Sequence, residues 1–193
     1  MKKTVLTFGT ISGILISAMM LATVPFMDQI GFDRGQVIGY TSMVLAFLLI
    51  YFGVRSYRDN VAGGSITFGR ALKVGALIAA LASGWYVATW QVIYYRITPD
   101  WMEKYAAHGL EKARAAGETE AQIAKRTADM EKFAELYKNP AINVAITFLE
   151  PLPVALVMAL VSAGLLSRRR KEEEGVKIAA TGARVLPQGA PHG

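Results

Sequence analysis

The stretch FLEPLPVALV, residues 148–157, places one carboxylate and two prolines inside an otherwise apolar run. Glu150 could bind a proton or a cation, because a carboxylate in apolar surroundings is costly unless it is neutralised or paired. Pro151 and Pro153 lack a backbone N–H, so they predict a kink that leaves two carbonyl groups without donors one turn earlier. The pattern predicts a polar notch made of the carboxylate, these two carbonyls and the Thr147 hydroxyl.

A partner for Glu150 is predicted on the preceding apolar segment, which must run antiparallel to this one. Glu150 lies 16 residues before Leu166, or roughly 24 Å along a helix, which places it near the outer edge of a hydrocarbon core about 30 Å thick. The outer end of the preceding segment offers these candidates: Gln91, Tyr94, Tyr95 and Arg96. A structural pair that orders the kink, a proton or cation site and an interfacial anchor remain as alternatives.

A second group of candidate residues is basic and surrounds Gly63 and Gly64 in RSYRDNVAGGSITFGRALK. A basic helix start with glycines can hold an anion such as a lipid phosphate. The same charges are also explained by their position at the cytoplasmic ends of membrane spans. Ser65 is predicted to cap the next helix, and no Gly-x-x-x-x-Gly-Lys-Ser/Thr pattern supports nucleotide hydrolysis. The four cations are Arg55, Arg58, Arg70 and Lys73.

The composition argues against several kinds of chemistry. The chain has no cysteine and two histidines, His108 and His192, which lie far apart. Thiolate chemistry, cysteine metal sites and a Ser-His-Asp triad therefore have almost nothing to be built from. We predict no catalytic, cofactor-binding or metal-binding residues and no enzyme activity. The net charge of +6 follows from cations that flank apolar blocks, so we predict a lipid bilayer rather than a nucleic acid as the partner.

Four apolar blocks are long enough to cross a membrane, which needs roughly 20 apolar residues in a helix. The chain is 53% apolar with a mean hydropathy of +0.31, and its charges gather between these blocks. We predict an all-α integral membrane bundle of four transmembrane helices within a domain over residues 1–171. The predicted spans are residues 4–27, 36–54, 71–95 and 141–167.

The first span and the distribution of cations set the predicted topology. Lys2 and Lys3 precede the first block and raise the alternative of a signal peptide. Its apolar part is longer than the roughly 7–15 residues of a signal, and no small-x-small cleavage site follows, so we predict a retained span. Ten Lys and Arg residues flank one side of the bundle, whereas the opposite short loop DQIGFDRG has one Arg and two Asp. Both termini are therefore predicted to be cytoplasmic.

The long loop over residues 97–140 is rich in Ala, Glu and Lys, which favour helix. We expect a helical hairpin outside the membrane or long extensions of spans three and four, interrupted at Gly117. Thr98 followed by Pro99, and Asn139 followed by Pro140, are typical of an N-cap and a first helical position. The loop is either a solvated helical cap or a partner-binding lobe. The tail over 172–193 is predicted to be a disordered cytoplasmic segment.

Stripes of small residues predict how the spans pack, because helices in lipid associate by close backbone approach. Such residues recur four apart in spans one, three and four. The stripes favour packing within the bundle, and a homodimer face is the alternative. They comprise Gly9, Gly13 and Ser17; Gly75, Ala79 and Ser83, with Ala80, Gly84 and Ala88 beside them; and Ala155, Ala159 and Ala163.

Two motifs carry a resemblance to a known family. FGRALKVG, from Phe68, and FLEPLPVALVMALVSAGLLSRRRK, from Phe148, resemble bacterial inner-membrane proteins of the domain of unknown function family 4199 (DUF4199). The resemblance covers roughly Lys3 to Lys171 and leaves out the tail. It implies a four-span protein of a bacterial inner membrane, most simply of a Gram-negative bacterium, and it implies no activity.

Two functions follow as hypotheses. The first is a non-enzymatic accessory or structural subunit that binds another membrane protein or a second copy of itself, and it accounts for the small-residue stripes and the helical loop. The second is a small proton- or cation-coupled transporter or channel that uses Glu150 as its titrating group. The second lacks a repeated half with a matching broken helix, which transporters often contain. We therefore prefer the first.

Overall fold

The chain is helical throughout the part that the computed structural model describes, namely the backbone of residues 1–183 and the side chains of residues 1–167. Over this part it has eight α-helices and no strand, which confirms the predicted all-α class. A 3₁₀ turn follows α1, and a π-helix over Ile93–Ile97 follows α4. The α-helices are α1 Lys2–Thr23, α2 Met27–Ile30, α3 Phe32–Asn60, α4 Phe68–Val92, α5 Trp101–Ala115, α6 Glu120–Tyr137, α7 Pro140–Leu149 and α8 Leu152–Ala183.

Four helical segments are long and apolar enough to cross a membrane, as the hydropathy pattern predicts. Each lies on one of the predicted spans and extends it at one or both ends. The even number of spans returns the chain near Ser167 to the end of the bundle where α1 begins. The four segments are Lys2–Ile30, Phe32–Asn60, Phe68–Ile97 and Pro140–Ser167.

The small-residue stripes pack the spans against one another. A Cβ on Gly13 would lie 2.4 Å from the Trp85 ring, so α1 and α4 approach this closely only because residue 13 is a glycine. A Cβ on Gly75 would lie 3.2 Å from that of Ala159, which brings α4 against α8 in the same way. All nine residues of the three main stripes are buried. Packing within the bundle, the preferred prediction, is confirmed for these stripes.

Hydroxyl groups add hydrogen bonds between the spans. The buried Ser12 hydroxyl donates to the carbonyl oxygen of Ala46 at 2.7 Å and joins α1 to α3. The Thr89 hydroxyl donates to that of Ser17 at 2.7 Å and joins α4 to α1. Such bonds fix the register of packed helices where apolar contacts alone would let them slide.

One face of α4 remains outside the bundle. The residues offset from the buried stripe of α4 are small and exposed, and they recur every four positions. A Cβ on Gly84 would meet nothing within 4 Å. The surface therefore presents a smooth ridge of small side chains towards the bilayer, which we call the small-residue face: Ala76, Ala80, Gly84 and Ala88.

The predicted hairpin forms from α5 and α6. Gly117 has φ +76°, a conformation that disfavours other residues, and it ends the first helix as predicted. Thr119 then caps α6 through a capping box with Gln122. The prediction that Thr98 caps the first helix was wrong. Asp100 holds that position, because the Thr98 backbone N–H and hydroxyl both turn back to the carbonyl of Ile93 at the end of the π-helix.

The predicted N-cap of span three also needs correction. Span three begins at Phe68 with Thr67, not Ser65, as its N-cap, and Thr67 makes no side-chain cap bond. Gly63 and Gly64 both have positive φ and complete the turn after α3, so the chain needs the residues up to Thr67 to enter α4 in an extended conformation. Asn139 and Pro140 start α7 as predicted, and the Asn139 side-chain oxygen accepts from the Ala141 N–H at 3.0 Å.

The hairpin is held on the corner between α2 and α3 by ion pairs. Lys104 reaches Asp28 at 2.6 Å and Lys112 reaches Asp33 at 2.6 Å. His108 lies 3.3 Å from the same Asp33 oxygen, and its ring stacks on Phe32 with centroids 5.1 Å apart. We call these six residues the corner clamp.

The tail differs from its prediction where the structure describes it. We predicted disorder over residues 172–193, but α8 continues as helix to Ala183. The segment KEEEGVKIAA is rich in strong helix formers, which favours extending the helix beyond the membrane span. The remaining predicted tail, residues 184–193, lies outside the described residues.

Candidate functional site

Glu150 lies at a break in the fourth span. α7 ends at Leu149 and α8 begins at Leu152, because the two prolines cannot continue the backbone hydrogen-bond ladder. Pro151 is buried, whereas Glu150 is exposed on the outer surface of the bundle. The carboxyl group thus precedes the N-terminus of α8, where the helix dipole favours negative charge. The predicted kink is confirmed as a break between two helices.

The partner of Glu150 was predicted wrongly. The hydroxyl of Tyr86 donates to Glu150 Oε2 at 2.8 Å, and Tyr86 itself is 7% exposed. One carboxylate oxygen is therefore bonded to a buried side chain, while Glu150 as a whole remains exposed. Of the predicted partners, Gln91 binds Asn143 instead, and Arg96 is exposed.

The register of α4 against α7 and α8 explains this difference. Gln91 lies opposite Asn143, Tyr86 opposite Glu150, and Gly75 opposite Ala159, as expected for antiparallel helices. Arg96 is ten residues beyond Tyr86, or roughly 15 Å nearer the end of the bundle that carries the hairpin. A guanidinium at that level is too far along the helix to pair with Glu150. The carboxylate is consequently deeper than the sequence alone suggested.

A buried group of polar side chains lies one to two helical turns from Glu150, towards the end of the bundle that carries the hairpin. Trp90 Nε1 donates to the Tyr137 hydroxyl at 2.9 Å, and that hydroxyl lies 3.1 Å from Thr147 Oγ1. The Thr147 hydroxyl faces Asn143 Oδ1 at 3.4 Å, and Gln91 Nε2 donates to the same oxygen at 2.8 Å. We call these five residues the polar cluster. It ties α4, α6 and α7 together, so it carries the end of the hairpin into the bundle.

The polar cluster is largely uncharged and shielded from solvent. Asn143 is 0% exposed and Thr147 is 2% exposed. Burial raises the pKa of Tyr137, the hydrogen bonds with Thr147 and Trp90 oppose that shift, and the charge of Glu150 adds to it. Tyr137 therefore stays a neutral hydroxyl that can both donate and accept. Within the described residues, the Asn143 side-chain Nδ2 and the Ser83 hydroxyl are buried without a hydrogen-bond partner.

Thr147 and Gln91 were predicted beside Glu150, but the structure places both in the polar cluster instead. The other members of the polar cluster and Tyr86 were not predicted. The sequence pattern around Trp90 indicates an interfacial aromatic belt, and the pattern around Tyr137 indicates an apolar stripe on the hairpin. Asn143 carried a usable signal, because it precedes Thr147 by one helical turn inside an apolar block. Two polar residues on one face of a span indicate a buried polar contact.

The predicted basic group lies at the end of the bundle opposite the hairpin, and its members make separate local contacts. Arg55 and Arg58 both approach Asp59, at 3.6 and 2.6 Å, and Arg58 is only 5% exposed. The Arg70 guanidinium lies over the Tyr57 ring, 5.8 Å from its centroid. The remaining cation, at position 73, is exposed. An anion site there remains a prediction.

Within the described residues, no group of three His, Asp or Glu side chains is arranged to hold a metal ion. His108 is part of the corner clamp. The site that the fold assembles is therefore one carboxyl group, a tyrosine hydroxyl and a neighbouring neutral hydrogen-bond network.

Fold and site together define a multi-pass membrane protein with four spans, the last of which is broken at a carboxylate. The family model described as "Protein of unknown function (DUF4199)" matches residues 7–168, and the chain belongs to this family. No curated protein and no solved structure matches the chain.

Proposed function

We propose that the chain is a non-enzymatic accessory subunit that binds another membrane protein within the bilayer. The observation that carries this proposal is the small-residue face of α4. Its members point away from the bundle, whereas the parallel stripe of α4 is already used for internal packing. Helices that associate in lipid do so through faces of this kind, because small side chains let two backbones approach closely.

The location is part of the same proposal. We propose a bacterial inner membrane, with both termini in the cytoplasm and the hairpin of α5 and α6 outside. The excess of Lys and Arg at the end of the bundle where the chain starts supports this orientation. Because the chain has no cysteine, single cysteines at Lys3 and Glu111 test it directly. A membrane-impermeant maleimide should label residue 111 in intact cells and residue 3 only after lysis, and the reverse pattern would refute the orientation.

Substitution of Gly84 tests the accessory function. Gly84→Leu fills the small-residue face without a clash inside the chain, because a Cβ at Gly84 meets nothing within 4 Å. Gly39→Leu is the matched control, since Gly39 lies in the α3 span and is equally unobstructed. We expect native mass spectrometry of gently extracted protein to show a partner with the wild type and with Gly39→Leu, and its loss with Gly84→Leu. Equal recovery with both variants would contradict the proposal.

The second candidate function is a small proton- or cation-coupled transporter that uses Glu150. The observation in its favour is the break between α7 and α8, because discontinuous spans often mark binding sites in transporters. Glu150→Gln should abolish ion flux into proteoliposomes while the protein still elutes as a folded species. Flux that survives the substitution would rule out this role for the carboxylate.

A further inference from the structure

We infer that Glu150 and Tyr86 form a binding site for a lipophilic cation, a positively charged centre within an apolar body, that enters laterally from the bilayer. The inference rests on the second candidate function, for which it names the class of ligand. It concerns binding alone and can therefore be tested without transport.

Glu150 lies deeper within its span than any described Lys or Arg does within its own. Glu150 lies ten residues, or roughly 15 Å, from the start of its span at Pro140, and farther from Ser167. Every Lys and Arg in the four described spans lies no more than five residues from a span end. A second copy inserted in the same orientation would bring its cations to the same levels. The carboxylate therefore lies at a depth that the described cations of this chain do not reach, in a monomer or in such an oligomer.

Glu150 is exposed on the periphery of the bundle. Leu149 and Leu156, which precede and follow it in the fourth span, are 60% and 56% exposed. A ligand dissolved in the hydrocarbon can reach this carboxylate without crossing the protein. Because the surroundings are leucine side chains and lipid, the body of the ligand has to be apolar.

The few oxygen atoms of the site favour an organic cation over a metal ion. Hard cations such as Ca²⁺ or Mg²⁺ take six or more oxygen ligands, and the bonded pair here offers a carboxylate and one hydroxyl. An organic cation with a dispersed charge needs no such shell. A carboxylate in hydrocarbon attracts it strongly because the medium screens charge weakly. The Tyr86 hydroxyl donates to Oε2 and so holds the carboxylate in one orientation before the ligand arrives.

Tetraphenylphosphonium, a permanently charged lipophilic cation, provides the test on the purified full chain in detergent. We expect calorimetric binding to the wild type and at least about a tenfold loss of affinity with Glu150→Gln. Tyr86→Phe should weaken binding less, by about two- to fivefold, because it removes only the orienting bond. Glu111→Gln, an exposed acid on α5, is the matched control and should bind as the wild type does.

Two further comparisons keep the result interpretable. Glu150→Asp retains the charge and should retain measurable binding, which separates loss of charge from loss of fold. Tetraphenylborate has the same shape with the opposite charge and should not bind when it is titrated alone. Absence of tetraphenylphosphonium binding to the wild type, equal binding to Glu150→Gln, or equal binding of tetraphenylborate would each overturn the inference.

The outcomes also separate this inference from the function on which it rests. Binding that depends on Glu150 without any ion flux would refute the transporter and leave the binding site standing. Proton flux that depends on Glu150 without tetraphenylphosphonium binding would refute the site for lipophilic cations and leave the transporter standing.

Discussion

The hairpin of α5 and α6 is attached to the bundle at two places that differ in every physical respect. At one end, the corner clamp joins α5 to the corner between α2 and α3 through exposed charges, with Asp33 and Asp28 both more than 60% exposed. At the other end, the polar cluster joins α6 to α4 and α7 through neutral groups that are almost wholly buried. The first depends on charge in water and the second on hydrogen bonds away from it.

This difference indicates which attachment fixes the hairpin. Exposed ion pairs contribute little to the free energy of unfolding, because each charge is also well hydrated when unpaired, and salt screens their attraction. A buried donor or acceptor that loses its partner costs the full desolvation of that group. We therefore expect Tyr137 to anchor the hairpin to the bundle, while the corner clamp adjusts where its far end lies. The substitutions below test this ranking, beginning with the most destabilising.

Tyr137→Ala should have the largest effect. Tyr137 is 6% exposed, its ring packs edge-on against Tyr94 at 5.4 Å, and its hydroxyl serves both Trp90 and Thr147. Removing a buried aromatic side chain costs about 3–5 kcal/mol. Unfolding by sodium dodecyl sulfate in mixed micelles measures the loss. Tyr105→Ala, at an exposed hairpin tyrosine, is the control and should cost much less, so similar losses at the two positions would reject the ranking.

Tyr137→Phe should have the next largest effect, because it keeps the ring and removes the hydroxyl. Trp90 and Thr147 then lose a partner inside the bundle, which we expect to cost about 1 kcal/mol. Thr147→Val alone should cost a similar amount. The double variant should cost less than the sum, since both changes remove the same hydrogen bond. Fully additive losses would show that Tyr137 and Thr147 do not interact.

Local features of the sequence predict the four spans and several helix ends. Hydropathy identifies the four spans because the hydrocarbon core demands about 20 apolar residues wherever the chain crosses it. Gly117 and the pair Asn139–Pro140 identify helix ends because their backbone preferences are local. These features depend on residues close in sequence, and the structure confirms them.

The partner of Glu150 could not be predicted in that way. It depends on the register between α4 and the fourth span, a tertiary feature that places Gln91 opposite Asn143 and Gly75 opposite Ala159. Each residue of displacement along a helix moves a side chain by about 1.5 Å, so a shift of five residues separates the predicted Gln91 from the observed Tyr86. The caps at Ser65 and Thr98 failed for a local reason, because the glycine turn after α3 and the π-helix after α4 move each helix start two residues along the chain.

Lys112→Ala tests the corner clamp itself. Lys112 and Asp33 are both about 60% exposed, so removing the pair should leave the unfolding midpoint almost unchanged. At low salt, we expect a broader distribution of distances between spin labels on α5 and α3 in the variant than in the wild type. At about 1 M salt, the distribution in the wild type should approach that of the variant. A large loss of stability at either salt concentration would reverse the ranking of the two attachments.

The smallest effect should come from raising the pH across the titration of Lys104. Hydrogen bonds to Asp28 and then to Asp100 raise the pKa of Lys104 above its ordinary value. A raised pKa means that the folded state binds the proton more tightly, so the contribution is complete below the ordinary value of about 10.4 and is lost as the pH rises through the folded value. We therefore expect the label distance to stay constant from neutral pH to about pH 10 and to broaden above it. Lys104→Gln should show the broader distribution of distances already at neutral pH, because the variant lacks the charge that binds Asp28. A distance in the wild type that follows the variant at all pH values would show that Lys104 does not hold the clamp, and the attachment of α5 would then rest on Lys112 and the ring stack of His108 on Phe32.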